Sequence, residues 1–576
     1  TLFIKSNSEG GLATPSFRGT GASHTQVLWN GIPINSQLNG SADFSTIPVF
    51  FNDEIALLYG SASLGQGSGA LGGSVSLKTT PEWGAKNKIE LFQEVGSFGT
   101  YQTFLSATFA NAKFASKTKA FYGQSANNYP YWNTANGSAY KTLERRQHAD
   151  YQKSGILQEF YYKPKSTQQW ALKVYGHQYF RHIPTPIIVN SNNGKEKEGG
   201  NSLKSVLEFS QVKMHAALDV SLAYLIDDMY YIDDRKMEKQ KSKHQYQSFF
   251  LHGNYKYIFG KLSIKGGVQA DYHFAKSNYY QALHSRLQIG IYAQADYQVV
   301  SRLRLYALLR EELVDRKLQI PLPTLGLDYQ LLQQERLFFK FSTSLNQHLP
   351  TLNDLYWQPG GNPNLKTEKS FAVEGGFSYA KSWQETWTLE TDLTAYYSYI
   401  NNWILWQPLN ASVLWSPINL KEVMSSGLEA QLNVSYQFGP LIKNKRWKAS
   451  EQAGYTFSRS INQKELFGGD QSVGKQLMYV PFHVLYSQTS VSSPWFYTSW
   501  QINFVGERFV NSSNTQSLAA YCLNDFSLGQ NFKYKKWGFS VEAKITNIFN
   551  TTYESVPWQP MPGRGYHLYV KFSLFP

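Results

Sequence analysis

The chain has 576 residues, more than one ordinary globular domain holds, and is only 42% hydrophobic; no stretch approaches the roughly 18 apolar residues a membrane-crossing helix needs. A lone cysteine, Cys522, excludes an internal disulfide and a cysteine-based zinc module. The net charge of +14 is scattered, with no dense basic block beyond residues 443–448, which argues against nucleic acid as a partner.

Residues 1–85 read as a first unit. They are rich in Gly and Ser, with short strands expected at residues 25–29 and 74–78, and are too irregular to cross a bilayer. No signal peptide pattern is visible, and the opening Thr1-Leu2-Phe3-Ile4-Lys5 reads as a processed or incomplete N-terminus. The run Gly67-Ser68-Gly69-Ala70-Leu71-Gly72 fits the dinucleotide fingerprint G-x-G-x-x-G. That fingerprint needs a helix after it, and here a strand follows, so the glycines are read as tight turns.

Residues 86–576 repeat another unit: about ten residues of alternating apolar and polar character, then turn residues. Leu428, Ala430, Leu432, Val434 and Tyr436 alternate with Glu429, Gln431, Asn433 and Ser435; Val541, Ala543 and Ile545 alternate with Glu542, Lys544 and Thr546. Short connections, as near residues 165–169, 211–214, 259–261, 300–302 and 533–537, alternate with long ones. The long ones fall near residues 127–145, 182–202, 227–244, 346–367, 401–423, 462–475 and 549–564. This rhythm predicts an all-β chain: a transmembrane antiparallel barrel of about 22 strands, wide enough for residues 1–85 to sit in its lumen as an α+β plug. The mean hydropathy of −0.41 and the 16% aromatic content suit such a barrel, which hides lipid-facing residues in alternation and anchors with rings at both interfaces. A soluble β-propeller would instead show a blade repeat.

The 12 histidines are scattered without metal-ligand spacing, and no nucleophile–base pairing stands out, so neither a cofactor nor an enzyme is expected. An outer-membrane hydrolase is the rival from another class. Asp227, Asp228, Asp233 and Asp234 fall in a predicted outer loop, where paired carboxylates can hold calcium, though solvated loop acids are the plainer reading. Tyr129, Tyr131, Trp132, Trp357, Trp403, Trp406 and Trp415 lie in or beside long loops, where rings either clasp an amphipathic ligand or anchor in the interface. Strand parity turns Phe371, Val373, Phe377 and Tyr379 toward lipid and Glu374 toward the lumen, and the same count turns Glu429 inward. Two lumenal carboxylates require a cation, and Arg18 is the natural partner.

Several motifs in series resemble TonB-dependent outer-membrane transporters. In residues 1–85 these are Phe17-Arg18-Gly19, Val27-Leu28-Trp29-Asn30-Gly31, and Gly69-Ala70-Leu71-Gly72-Gly73. Later come Leu349-Pro350-Thr351-Leu352-Asn353-Asp354, Gly361-Asn362-Pro363-Asn364-Leu365 and Thr546-Asn547-Ile548-Phe549-Asn550. The resemblance covers the whole chain. It implies a Gram-negative outer-membrane location with contact to lipid and lipopolysaccharide, energy coupling through TonB–ExbB–ExbD, and a scarce nutrient as ligand, with a surface lipoprotein as a further candidate partner. It also implies a lock of two plug arginines against two barrel glutamates; here Tyr59 stands at the second arginine position, and Ser61 replaces a common proline.

The run from Ile34 through Gly40, with Asp43-Phe44-Ser45-Thr46-Ile47-Pro48 after it, is most similar to the cobalamin-transporter group, with ferric siderophores next and oligosaccharides or peptides third. The haem branch places a histidine between residues matching Pro350 and Asn362; none stands there, and His348 lies just outside. Gln37 and Asn39, at an expected outward apex, are read together with Tyr129, Trp132, Trp357 and Trp406 as lining one extracellular cavity.

Overall fold

The computed structural model describes residues 3–6, 8–60, 65, 67–84, 87–137, 140–188, 196–234, 240–384, 386–408, 414–442, 445–465 and 468–575. Ser61 and parts of five expected outer loops lie outside the described residues.

Alternation becomes a wall. Twenty-two antiparallel strands pair in chain order from Lys88–Gly96 onward, and the last, Gly565–Leu574, pairs back onto the first, leaving no open edge. A two-residue strand, Lys317–Leu318, hooks onto this ring without interrupting it. No helix among the described residues is long and apolar enough to cross a membrane. On Trp415–Ile442, Leu428 and Leu432 face outward while Glu429 is buried. Phe371 and Phe377 likewise face outward on Glu368–Trp383. Short turns follow Lys165, Phe259, Val300 and Tyr534, as the spacing predicts.

Three expected outer loops are shorter than predicted. Gln168–Ile183 and Glu196–Val212 stay paired as far as Ile183 and Glu196. Ala216–Asp233 and Gln240–Phe259 stay paired as far as Asp233 and Gln240. Trp387–Pro408 and Trp415–Ile442 likewise stay paired as far as Pro408 and Trp415. At the ends of these last two pairs the alternation fades, since Trp403-Ile404-Leu405-Trp406 and Met229-Tyr230-Tyr231-Ile232 run apolar or aromatic in succession, and a period-two count finds no strand there.

The N-terminal segment packs inside the ring. It forms a hairpin, Phe3–Ser6 with Ala13–Ser16, and a four-stranded sheet in the order Ile32–Pro33, Thr25–Trp29, Gly73–Lys78, Glu54–Tyr59. The two central strands run parallel. Among the described residues its helical content is limited to 3-10 turns such as Phe44–Thr46, which Asp43 caps by accepting from the Ser45 N–H. Phe17, Val27, Trp29 and Val75 of this segment join Leu157, Tyr175, Val206 and Phe250 of the wall in one buried cluster. Polar contacts reach strands on all sides: Lys117, Lys173, Arg181, Glu312, Glu374 and Glu429 each bond a residue of the segment.

Candidate functional site

The inner segment is fastened by charge at two walls. Arg18 sits at a positive φ of 48°, which turns its side chain from the sheet toward the wall. Its Nη1 donates to Glu374 Oε2 at 2.8 Å, and Nη2 and Nε donate to Glu429 Oε2 at 2.8 and 3.2 Å. Ser425 Oγ donates to the Arg18 carbonyl at 2.6 Å. Burial alone would pull the guanidinium down, yet Glu429 and Glu374 hold it above the ordinary arginine range. Tyr59 takes part as a ring more than as a donor: its centre lies 5.3 Å from the guanidinium carbon, and its hydroxyl accepts from Gln431 Nε2 at 3.5 Å. Gly60 lets the wall come close, since a Cβ there would stand 2.6 Å from Glu374 Oε2.

On another wall the charges are reversed. Asp53 Oδ2 accepts from Lys117 Nζ, and Oδ1 from Lys119 Nζ, each at 2.8 Å. The Thr80 N–H adds a third bond at 2.9 Å. The sequence held a signal for this clamp: Lys117 and Lys119 share a face of Phe114–Ser125, and two neighbouring lumenal ammoniums require an anion.

A third junction joins His24 to His348 and Glu368. His24 Nε2 lies 2.8 Å and His348 Nδ1 2.6 Å from Glu368 Oε2. This is the one triad among the described residues whose ligand atoms come together closely enough for a metal. Gly21 N–H donates to His24 Nδ1 at 3.2 Å, so the ring proton sits on Nε2 and points at Glu368. A metal would need a lone pair there, and the triad is built instead as a hydrogen-bonded junction.

Above the sheet, between the inner segment and the strands from Gln168–Ile183 to Gln240–Phe259, a cavity of about 380 Å³ opens among Trp29, Asn39, Tyr175, Tyr246, His244 and Trp357. Arg181 is held at its rim by Asp43 at 2.8 Å and Glu198 at 3.0 Å. Trp357 stacks on Tyr279 with ring centres 4.2 Å apart. The 37–39 apex is fixed by backbone bonds from Leu352 N to Gln37 O and from Asn353 N to Leu38 O, at 3.1 and 2.9 Å.

A family profile described as "TonB dependent receptor-like, beta-barrel" matches residues 36–548. The chain belongs to this family of TonB-dependent receptors. As such it is a β-barrel protein of the Gram-negative outer membrane. The receptor is 25% identical over 572 residues to "Vitamin B12 transporter BtuB" of Photobacterium profundum, spanning 96% of this chain and 84% of that one. A BtuB of Vibrio vulnificus is 23% identical over 578 residues, with the same coverage. In fold, the siderophore receptor PirA from Acinetobacter baumannii matches 100% of this chain and 94% of its own with a TM-score of 0.79 at 14% identity. "Copper transporter OprC" covers the same shares at 0.78 and 15% identity.

Of the candidate ligand residues, the receptor brings Asn39 and Trp357 to the large cavity and Gln37 to a smaller neighbour. Three rings fall elsewhere. Tyr129 is fully buried, and its hydroxyl donates to the Pro560 carbonyl at 2.8 Å, which ties two loops together. Trp132 projects from the hairpin Pro130–Asn133 with Thr142–Arg145 and meets Lys141. Trp406 Nε1 donates to Asp354 Oδ1 at 2.7 Å and braces the short helix Leu352–Tyr356. The four aspartates form no calcium site among the described residues. Asp227 and Asp228 are adjacent on a strand, so their carboxylates diverge; Asp227 lies 3.9 Å from Lys204, and Asp228 accepts from Gln245 at 2.6 Å. Asp233 is buried at the strand end, with Asp234 just past it.

Proposed function

We propose that the receptor captures a bulky amphipathic nutrient of cobalamin type and admits it when TonB, driven by ExbB–ExbD, shifts residues 1–85, a plug held in the barrel of residues 86–576. On this reading it transports and is not an enzyme; lipopolysaccharide surrounds it, and a surface lipoprotein is a candidate partner. The observation that carries the reading is a ring-lined cavity whose floor is the plug itself, so that occupancy and plug position are mechanically joined. The likeness to two B12 transporters along nearly the whole chain supports the ligand class. Ferric siderophores rank second, because Asp43, Glu198, Asp227 and Asp228 outnumber Arg181 and Lys204 around the cavity, a poor match to a polyanionic chelate. Equilibrium binding of cyanocobalamin and of representative ferric siderophores to the purified receptor tests the reading. Saturable siderophore binding without cobalamin binding would replace it.

A further inference from the structure

Beside the ring-lined cavity lies a smaller one of about 120 Å³, and Ser36 at the plug apex borders both. Two wall arginines, Arg286 and Arg310, line it, with the Gly67, Ser68 and Gly69 turn of the plug opposite. Neither arginine has its whole N–H fork bonded among the described residues. Arg286 is 6% exposed, donates from Nη2 to the Pro350 carbonyl at 2.7 Å, and makes no ion pair among the described residues. Arg310 is 3% exposed; Nε donates to Glu312 at 2.6 Å and Nη2 to Gln269 at 2.7 Å, while Nη1 is buried without a partner among the described residues.

The nearby carboxylates are already engaged. Glu312 accepts from Arg310, from Ser68 Oγ at 2.6 Å and from Gln347 Nε2 at 2.9 Å. Asp271 lies 2.7 Å from His252 Nε2. Room for the Arg310 fork comes from Gly290, where a Cβ would stand 2.5 Å from Nη2. A buried guanidinium without a matching acceptor is costly, and planar N–H forks suit oxyanions.

We infer that this smaller cavity is an oxyanion subsite in which Arg286, with Arg310 behind it, receives a phosphate-like group. Resting on the proposed function, the inference adds a ligand class: an amphipathic body in the large cavity carrying one anionic arm into the small one. The test uses the full-length receptor in detergent, titrated calorimetrically with sodium phosphate, then with cyanocobalamin and with cobinamide, the same corrin lacking its phosphodiester arm. Phosphate should bind the wild type. Arg286→Gln should weaken it at least tenfold, and Arg286→Lys less. Gly290→Ala, which removes no charge and displaces the Arg310 fork, should weaken it too, and heat-modifiable migration on gels reports whether each variant is folded. Phosphate binding that is absent, or equal in wild type, Arg286→Gln and Gly290→Ala, overturns the subsite. A cobalamin preference over cobinamide that vanishes in Arg286→Gln supports the arm as the natural occupant; a preference that persists overturns that assignment and leaves a free anion there. Failure of both corrins to bind refutes the cobalamin reading and leaves the phosphate titration to judge the subsite.

Discussion

Replacing Arg18 with Met should loosen the plug. The side chain is 8% exposed and Glu429 beside it 7%, so removing the cation strands a buried carboxylate whose Oε1 has no partner among the described residues. Breaking one side of a buried pair costs about 3–5 kcal/mol. At about 1.4 kcal/mol per tenfold, that is roughly two to three and a half orders of magnitude in the balance between seated and unseated plug. If unseating an element of this size follows a urea slope of about 1 kcal/mol per molar, channels should open about 3 M or more earlier. The assay is conductance in planar bilayers as urea is raised, with Arg18→Met beside wild type. Glu374→Gln should act more weakly, by about 1.5 kcal/mol, since Glu374 is 21% exposed and Ser342 Oγ also bonds it. Arg18→Met with Glu429→Met should recover part of the loss, because the more deeply buried carboxylate is gone and only the half-buried Glu374, still bonded by Ser342 Oγ, loses its arginine. An opening curve for Arg18→Met that overlays wild type would refute the reasoning.

Gly60→Ala, with φ at +50° and a Cβ driven into Glu374, should shift the same curve in the same direction, and an unchanged curve would show that Glu374 swings clear. Asp53→Asn should ease opening from the other wall. Burial alone would raise the Asp53 carboxyl, but Lys117, Lys119 and the Thr80 N–H hold it below the ordinary range. With the folded value depressed, its contribution is complete above the unfolded value of about 3.9 and is lost as pH falls through the lower folded value; Asp53→Asn and wild type should therefore differ at pH 7 by a gap that narrows on acidification below about pH 4, and curves that already coincide at pH 7 would contradict the clamp. Trp357→Ala should weaken cobalamin binding about tenfold or more by removing a cavity wall, whereas Trp132→Ala should leave it unchanged; equal effects in titration would place the ligand elsewhere.

Strand parity reached the Arg18 clamp because a period of two assigns every residue of a paired strand to a face, so Glu374 and Glu429 could be placed without coordinates. The same count, carried to Lys117 and Lys119, would turn both to the lumen, but Asp53 lies in irregular chain whose facing no periodicity reports. Loop rings were the least legible. Tyr129, Trp132, Trp357 and Trp406 share composition and setting, and only the tertiary path of each loop sends one to the cavity and the others to a neighbouring loop, an outer hairpin or a helix brace. Arg286 was missed for a related reason: its parity is clear, but that no carboxylate among the described residues pairs with it directly emerges only once every neighbour is placed.

The two clamps also give the plug a handedness about the barrel axis. The strand bearing Glu374 and the strand bearing Lys117 and Lys119 lie eleven steps apart in either direction around the ring, on opposite walls. A plug turned by half a revolution would face Arg18 toward the lysine wall and Asp53 toward the glutamate wall, like charge against like. The barrel thus works as a keyed socket: the charges that fasten the inner segment also hold it to a single azimuth.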